Sequence, residues 1–423
     1  MRQPRADGRR VHLPLPCAGG DLSRCTGQEP DPGATPPLTV VERGPHHRTV
    51  EWTAWERDDL GQTVLCTNRY TELACGMHVL REGQWREATA AWEIDAGTAV
   101  ATGLQFRVSL RPNPRTEGAV DLLLPDGTTH LRSRVAGLMY YDAASGEAVT
   151  LATVTDCAGE LASETELRYR DAFEGYLEAD LVYRLALHRF EQDLVLRAAP
   201  PLPDAFGLDP ASTRLEVWTE FRDPPEPAIT QQVVEREPDP ERRAQMAELD
   251  LTDDFLDFGS MQIPAGTGFS PEAPSSAPVR ICKRWVHVDG ATFLVESARY
   301  RDLAVLLASL PQAEAAAASL PPRAAPALAR ATEGERGQRT HRTPPALPAW
   351  LVRRPGPAVA PITLTRAGSH PAARGHAPGV VLDYTTVVSQ ANIPSRATRL
   401  TWSPGRSPFP ARPPSRAARW SSS

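Results

Sequence analysis

Lysine is all but missing: Lys283 is the only one in a chain of 423 residues whose basic side chains total 46. A surface selected to grip phosphates draws on both cations. The arginines therefore read as compositional bias, and nucleic acid is not an expected partner. Long apolar runs are absent too. None reaches the ~20 residues of a membrane-spanning helix, so no membrane span is expected. Residues 1–20 lack the apolar stretch of about 7–15 residues that marks a secretory signal. A cytoplasmic product or a true start upstream of Met1 would each account for that. Cysteine is sparse: Cys17, Cys25, Cys66, Cys75, Cys157 and Cys282 include no CxxC pair and cannot staple a chain of this length. Cys66 and Cys75 flank a turn, and would bridge it only in an oxidising compartment.

Motifs that carry chemistry are also missing. There is no HExxH and no G-x-S-x-G, and Gly266-Thr267-Gly268 lacks the G-K-[ST] ending of a phosphate loop. His46, His47 and His78 have no further ligand at zinc spacing. Asp253, Asp254 and Asp257 invite calcium but depart from the D-x-[DN]-x-[DN]-G pattern, so they read as a solvated loop. A glycosidase needs two carboxylates flanking one bond. That aspartate cluster, or Glu216 with Glu220 on one strand face, would be the pair, but 52 acidic residues make clusters by number alone. Trp85, Trp92, Trp218 and Trp285 could stack on sugars, although tryptophans within strand patterns mostly fill cores. No catalytic, cofactor-binding or metal-ligating residue is assigned, and no cofactor is expected.

What is present divides unevenly. Residues 1–320 carry 31 basic against 49 acidic side chains, whereas residues 321–423 carry 15 against 3 and hold 17 of the 42 prolines. Residues 1–45 show no periodicity and read as a disordered leader. Residues 46–310 form a β-rich domain, and 311–376 a Pro/Ala/Arg-rich linker too poor in apolar surface to offset chain entropy. Residues 377–392 contain one isolated strand-like run, Gly379–Val388. Residues 393–423 turn abruptly to Pro, Arg and Ser, which predicts a disordered tail or out-of-frame translation. In the latter case a one-base shift through synonymous codons yields an alternating, glycine-punctuated string suited to the first coil of a β-helix.

Within the domain, period-two alternation and turns recur. Strands are predicted at Val50–Trp55, Met77–Leu80, Leu104–Leu110, Ala119–Leu124, Leu131–Tyr141, Ala148–Val154, Glu178–Leu187, Phe190–Leu196, Arg214–Glu220, Arg284–Val288 and Phe293–Glu296. Glu82-Gly83 and Asp289-Gly290 mark hairpins. Helical signals are confined to Pro240–Ala247 and Asp302–Leu310. The fold class is all-β: an antiparallel β-sandwich-like domain with one or two short helices and disordered termini.

Several phrases together resemble a known module. Tyr70–Trp85 is similar to a recurrent opening of the type ELATGLHYLENGQW. Asn113–Gly127, Val135–Asp142, Asp156–Glu160, Gly207–Pro210, Thr213–Val217 and Phe293–Glu296 follow in the same order, covering about residues 65–310. The resemblance is to an uncharacterised β-rich module of large secreted or cell-surface bacterial proteins, found ahead of Rhs-like, lectin-like or right-handed β-helix regions. It implies an extracellular or cell-surface location and a structural or adhesive role, and supplies no catalytic residues. Expected partners are cell-surface polysaccharide or protein. Those relatives are longer and begin with a signal peptide, so the chain is expected to be a fragment. The other functional class consistent with the residues is a carbohydrate-binding or carbohydrate-active β-domain.

Overall fold

The computed structural model describes residues 38–57, 61–313, 362–366 and 379–389. These form an antiparallel β-sandwich with two short α-helices, the architecture that the alternation predicts. Local turn chemistry sets its hairpins. Asp289 and Gly290, at φ 50° and 79°, join Val279–Val288 to Ala291–Arg299, and Glu82-Gly83 joins His78–Arg81 to Gln84–Glu87 in the same way. Positive φ at both central residues matches the right-handed twist of the flanking strands.

One layer runs in the order Glu93–Asp95, Thr98–Ala101, Arg107–Leu110, Val120–Leu123, His130–Asp142, Thr213–Arg222, Ala291–Arg299, Val279–Val288. The far half of His130–Asp142 also pairs with Ala148–Val154, which carries Phe173–Gly175. The other layer runs Thr365–Arg366, Gly159–Leu161, Glu166–Tyr169, Ala179–Ala186, Arg189–Leu196, Val380–Ser389. On the open side of Val380–Ser389 lie Gly266–Phe269 and Met261–Ile263, the latter continuing into Asp250–Asp257 and Ala228–Arg236. Strand Val279–Val288 belongs to both layers, so they share one network of ladders.

Between the layers lies one apolar core. Val120, Leu122 and Leu131 face Leu181, Tyr183, Phe190 and Leu194, each nearly or wholly buried. Tyr183 stacks on Phe190 at 5.6 Å, and Trp92 meets Phe190 edge-on. Helix Tyr300–Leu307 adds Tyr300, Leu303, Leu306 and Leu307 to the core. Burying each such leucine contributes about 1.5–3 kcal/mol. Helix Pro240–Gln245 buries nothing; it is held by Asp239, whose side chain caps the Glu241 N–H. A separate three-stranded sheet, Thr39–Gly44, His47–Arg57 and Thr63–Leu73, precedes the sandwich.

Four readings need correction. Thr39–Gly44 is a paired strand, so order begins inside the 1–45 leader; its β-branched Thr39-Val40-Val41 run and the turn at Pro45-His46 explain why. Val380–Ser389 is not isolated: it is inserted beside Arg189–Leu196, and Val380 and Leu382 are fully buried. The 311–376 linker returns Thr365–Arg366 to a sheet edge as a parallel pair with Gly159–Leu161. Asp253, Asp254 and Asp257, read as a solvated loop, lie on the strand Asp250–Asp257. The expectations for residues 1–37, for most of the linker and for the 393–423 tail lie outside the described residues.

Candidate functional site

The crossing strand Val279–Val288 organises the buried polar chemistry. Residues 279–281 pair in one layer and 282–288 in the other. A strand that changes partners leaves backbone donors that no ladder takes, and a buried, unpaired N–H is costly. Two neighbouring aspartates take them. Asp253 Oδ1 accepts the Lys283 N–H at 3.0 Å, and Asp254 Oδ2 accepts the Trp285 N–H at 3.2 Å. Their other oxygens are engaged as well, by Arg280 at 2.6 Å and by Gln231 at 2.9 Å. Both aspartates are 5 % exposed, so these four bonds offset the cost of burying two charges. The hydrogen bond to Asp253 holds the Arg280 guanidinium above its ordinary pKa, against burial. Asp257 accepts instead from Gly259 N–H and Gln262. Among the described residues no three His, Cys, Asp or Glu side chains converge as a metal site would require.

Glu216 and Glu220 share a strand face but not a site. Glu220 pairs with Arg134 at 2.5 Å. Glu216, 1 % exposed, accepts from Arg284 at 2.8 Å, Ser297 Oγ at 3.0 Å and Trp218 Nε1 at 3.2 Å. Arg284 also reaches Glu248 at 2.5 Å, and Arg214 binds the same carboxylate. Burial alone would lower the Arg284 pKa, yet Glu248 and Glu216 hold it above its ordinary value. The Tyr141 phenol is pushed up by burial and by the same two glutamates, and its ring lies 6.0 Å from the guanidinium.

Lys283 sits on the same strand, 0 % exposed, opposite the equally buried Glu296. Its Nζ has no hydrogen-bond partner among the described residues. Burial draws its pKa below the usual lysine value, while Glu296 and Asp253 pull it back. The adjacent Cys282 thiol is pushed up to about 11 by burial, which leaves it a protonated, inert thiol. Cys75, Cys157 and Cys282 are free; the side chain of Cys66 lies outside the described residues.

The remaining candidates hold structure together. His78 is fully buried with Nδ1 2.8 Å from Gly44 O, and His46 Nδ1 accepts the Gly76 N–H at 3.0 Å. Burial, then the neighbouring His47, lowers the His46 pKa. His47 lies 3.6 Å from Glu42. Gly266-Thr267-Gly268 is a strand; a Cβ at Gly268 would come within 2.9 Å of Leu382, which is why glycine stands there. Trp92, Trp218 and Trp285 are core, and Trp85 is half-buried. A gap of about 20 Å³ between the layers, lined by Ser133, Gln192, Thr219 and Phe221, has room for one water and not for a sugar. The sequence reading missed Arg280, Arg284 and Glu248. The one available signal was Lys283 itself, a lone lysine inside the otherwise strand-like V-R-I-C-K-R-W-V run.

No family model, curated protein or solved structure matches the chain.

Proposed function

We propose that this domain is a non-enzymatic structural or adhesive module of a secreted or cell-surface protein. One observation supports the reading above others: the side chains best suited to chemistry are spent on the crossing strand. Asp253 and Asp254 satisfy its backbone, while Glu216 and Glu248 neutralise Arg284 beside it. A catalytic constellation aims such groups at a cleft where a reacting atom can sit; here they are directed at one another. The resemblance of residues 65–310 to modules of large surface proteins supplies the location in this reading.

A second reading, a carbohydrate-binding domain, draws on Trp52 and Tyr70. Their rings meet edge-on at 5.7 Å on the three-stranded sheet, and Tyr70 is 37 % exposed. A glycan array probed with the whole chain, together with reducing-end assays on the same polysaccharides, tests both. The structural reading expects neither retention nor turnover. Retention that is lost in Trp52→Ala establishes the second reading in its place. Turnover abolished by Glu216→Gln overturns both non-enzymatic readings.

A further inference from the structure

Strand Ala228–Arg236 is an edge. It pairs on one side with Asp250–Asp257, and among the described residues nothing pairs on its other side. Residues 228–233 are all exposed, with Ile229 at 45 % and Val233 at 38 %. Soluble proteins blunt such edges by shortening them or by adding charge, proline or bulges. Other edges here follow that rule: Glu93–Asp95 and Phe173–Gly175 have three residues each, and Thr365–Arg366 has two. The long edge Thr63–Leu73 carries Arg69 and Glu72, both in ion pairs. Ala228–Val234, by contrast, reads A-I-T-Q-Q-V-V, with no charge, no proline and no glycine. Its protective devices lie at the far end: a bulge between Val233 and Glu235, and Glu235 itself, ion-paired with Arg299 and Arg301.

The segment is also complementary to itself. In an antiparallel pairing of two copies about a two-fold axis through Gln231, Ile229 of each copy faces Val233 of the other. The two exposed apolar side chains of the edge then cover each other, and the uncharged stretch meets no like charge. A two-fold interface requires this kind of self-complementary patch. We propose that the domain associates edge to edge with a second copy of itself through Ala228–Arg236, forming a sheet continuous across the dimer. The inference rests on the edge alone and stands whether or not the structural role above is correct.

Charge placement tests both the partner and the register. Sedimentation of the whole chain across a concentration series up to about 200 µM should show a reversible monomer–dimer equilibrium, as a small strand-addition interface gives weak association. Ile229→Lys with Val233→Lys sets lysine against lysine at two symmetric positions. It should weaken the dimer by about tenfold or more, since like charges directly opposite oppose pairing. Ile229→Lys with Val233→Glu sets opposite charges face to face and should restore association to within a few-fold of the native chain. Circular dichroism of each variant confirms the fold, which two exposed positions leave intact. A native chain that stays monomeric throughout overturns the proposal. So does equal association of the two double variants, because a merely less apolar surface would weaken both alike.

Discussion

Replacing Asp253 by alanine removes two acceptors at once, and the structure sets the expected cost. The Lys283 N–H loses the carboxylate that accepts it at a wholly buried position, worth about 1–3 kcal/mol. Arg280 loses its ion pair, but its side chain is 43 % exposed and water takes over, so that part is about 0.5–1 kcal/mol. The total is about 1.5–4 kcal/mol, a large share of the ~5–15 kcal/mol that a domain possesses. Asp253→Asn separates the two effects. Its amide oxygen still accepts the backbone N–H while the charge is gone, so the loss should be about 0.5–1.5 kcal/mol. Urea denaturation at pH 7, followed by tryptophan fluorescence, reads both. With a slope of about 3 kcal/mol per molar, alanine should lower the midpoint by about 1 M and asparagine by under half of that. Equal midpoints for Ala and Asn would refute the claim that Asp253 acts by completing the crossing strand's backbone. An alanine variant within about 0.2 M of the native chain would show that the strand needs no such acceptor.

Glu216→Ala leaves the buried Arg284 with Glu248 as its carboxylate partner and should cost about 1.5–3 kcal/mol, more than Glu216→Gln, in thermal melts of both variants. For Lys283 the sign follows from its lowered pKa in the folded state. Between that value and the ordinary 10.5 the unfolded chain binds more protons, so this side chain's contribution to stability rises with pH across the window. Denaturant midpoints for the native chain and Lys283→Met should therefore shift relative to each other from pH 7 to pH 10.5, the native chain gaining; parallel profiles would contradict a buried, depressed amine. Alkylation at pH 8 followed by peptide mapping should label the half-buried Cys75 and leave Cys282 unmodified until the chain unfolds. A chain ended after Gln312 should be insoluble or unfolded, since it lacks Val380, Val381 and Leu382; a cooperative melt from it would restore the 46–310 boundary.

The sequence was most legible where structure is local. Asp289-Gly290 and Glu82-Gly83 announce their hairpins because two residues at positive φ carry the whole signal. Leu104, Phe106, Val108 and Leu110 are all buried as their alternation predicts, although only Arg107–Leu110 joins a ladder. Three of the four tryptophans weighed as sugar platforms are core, as strand context suggests. Reading failed where the deciding partner is remote. Asp250–Asp257 looks solvated because aspartate punctuates its alternation, yet the donors that make those charges tolerable are Lys283 and Trp285, about 30 positions later. Ala228–Arg236 went unnoticed because its glutamines and exposed valines show no buried face. What joins Asp253, Asp254 and Glu216 is a strand crossing that no local pattern displays.

The insertion of Val380–Ser389 between Arg189–Leu196 and Gly266–Phe269 also dictates an order of events. The first contact joins residues about 190 positions apart, and neither neighbour can complete its hydrogen bonds until the late strand arrives. During synthesis the earlier strands must therefore wait with an unfilled slot in the middle of a sheet, exposed to any passing β-segment. Closure of that slot completes the hydrogen bonding of both neighbouring strands. A chaperone that recognises extended segments would find its best opportunity there, and slow translation through residues 314–378 would lengthen the wait.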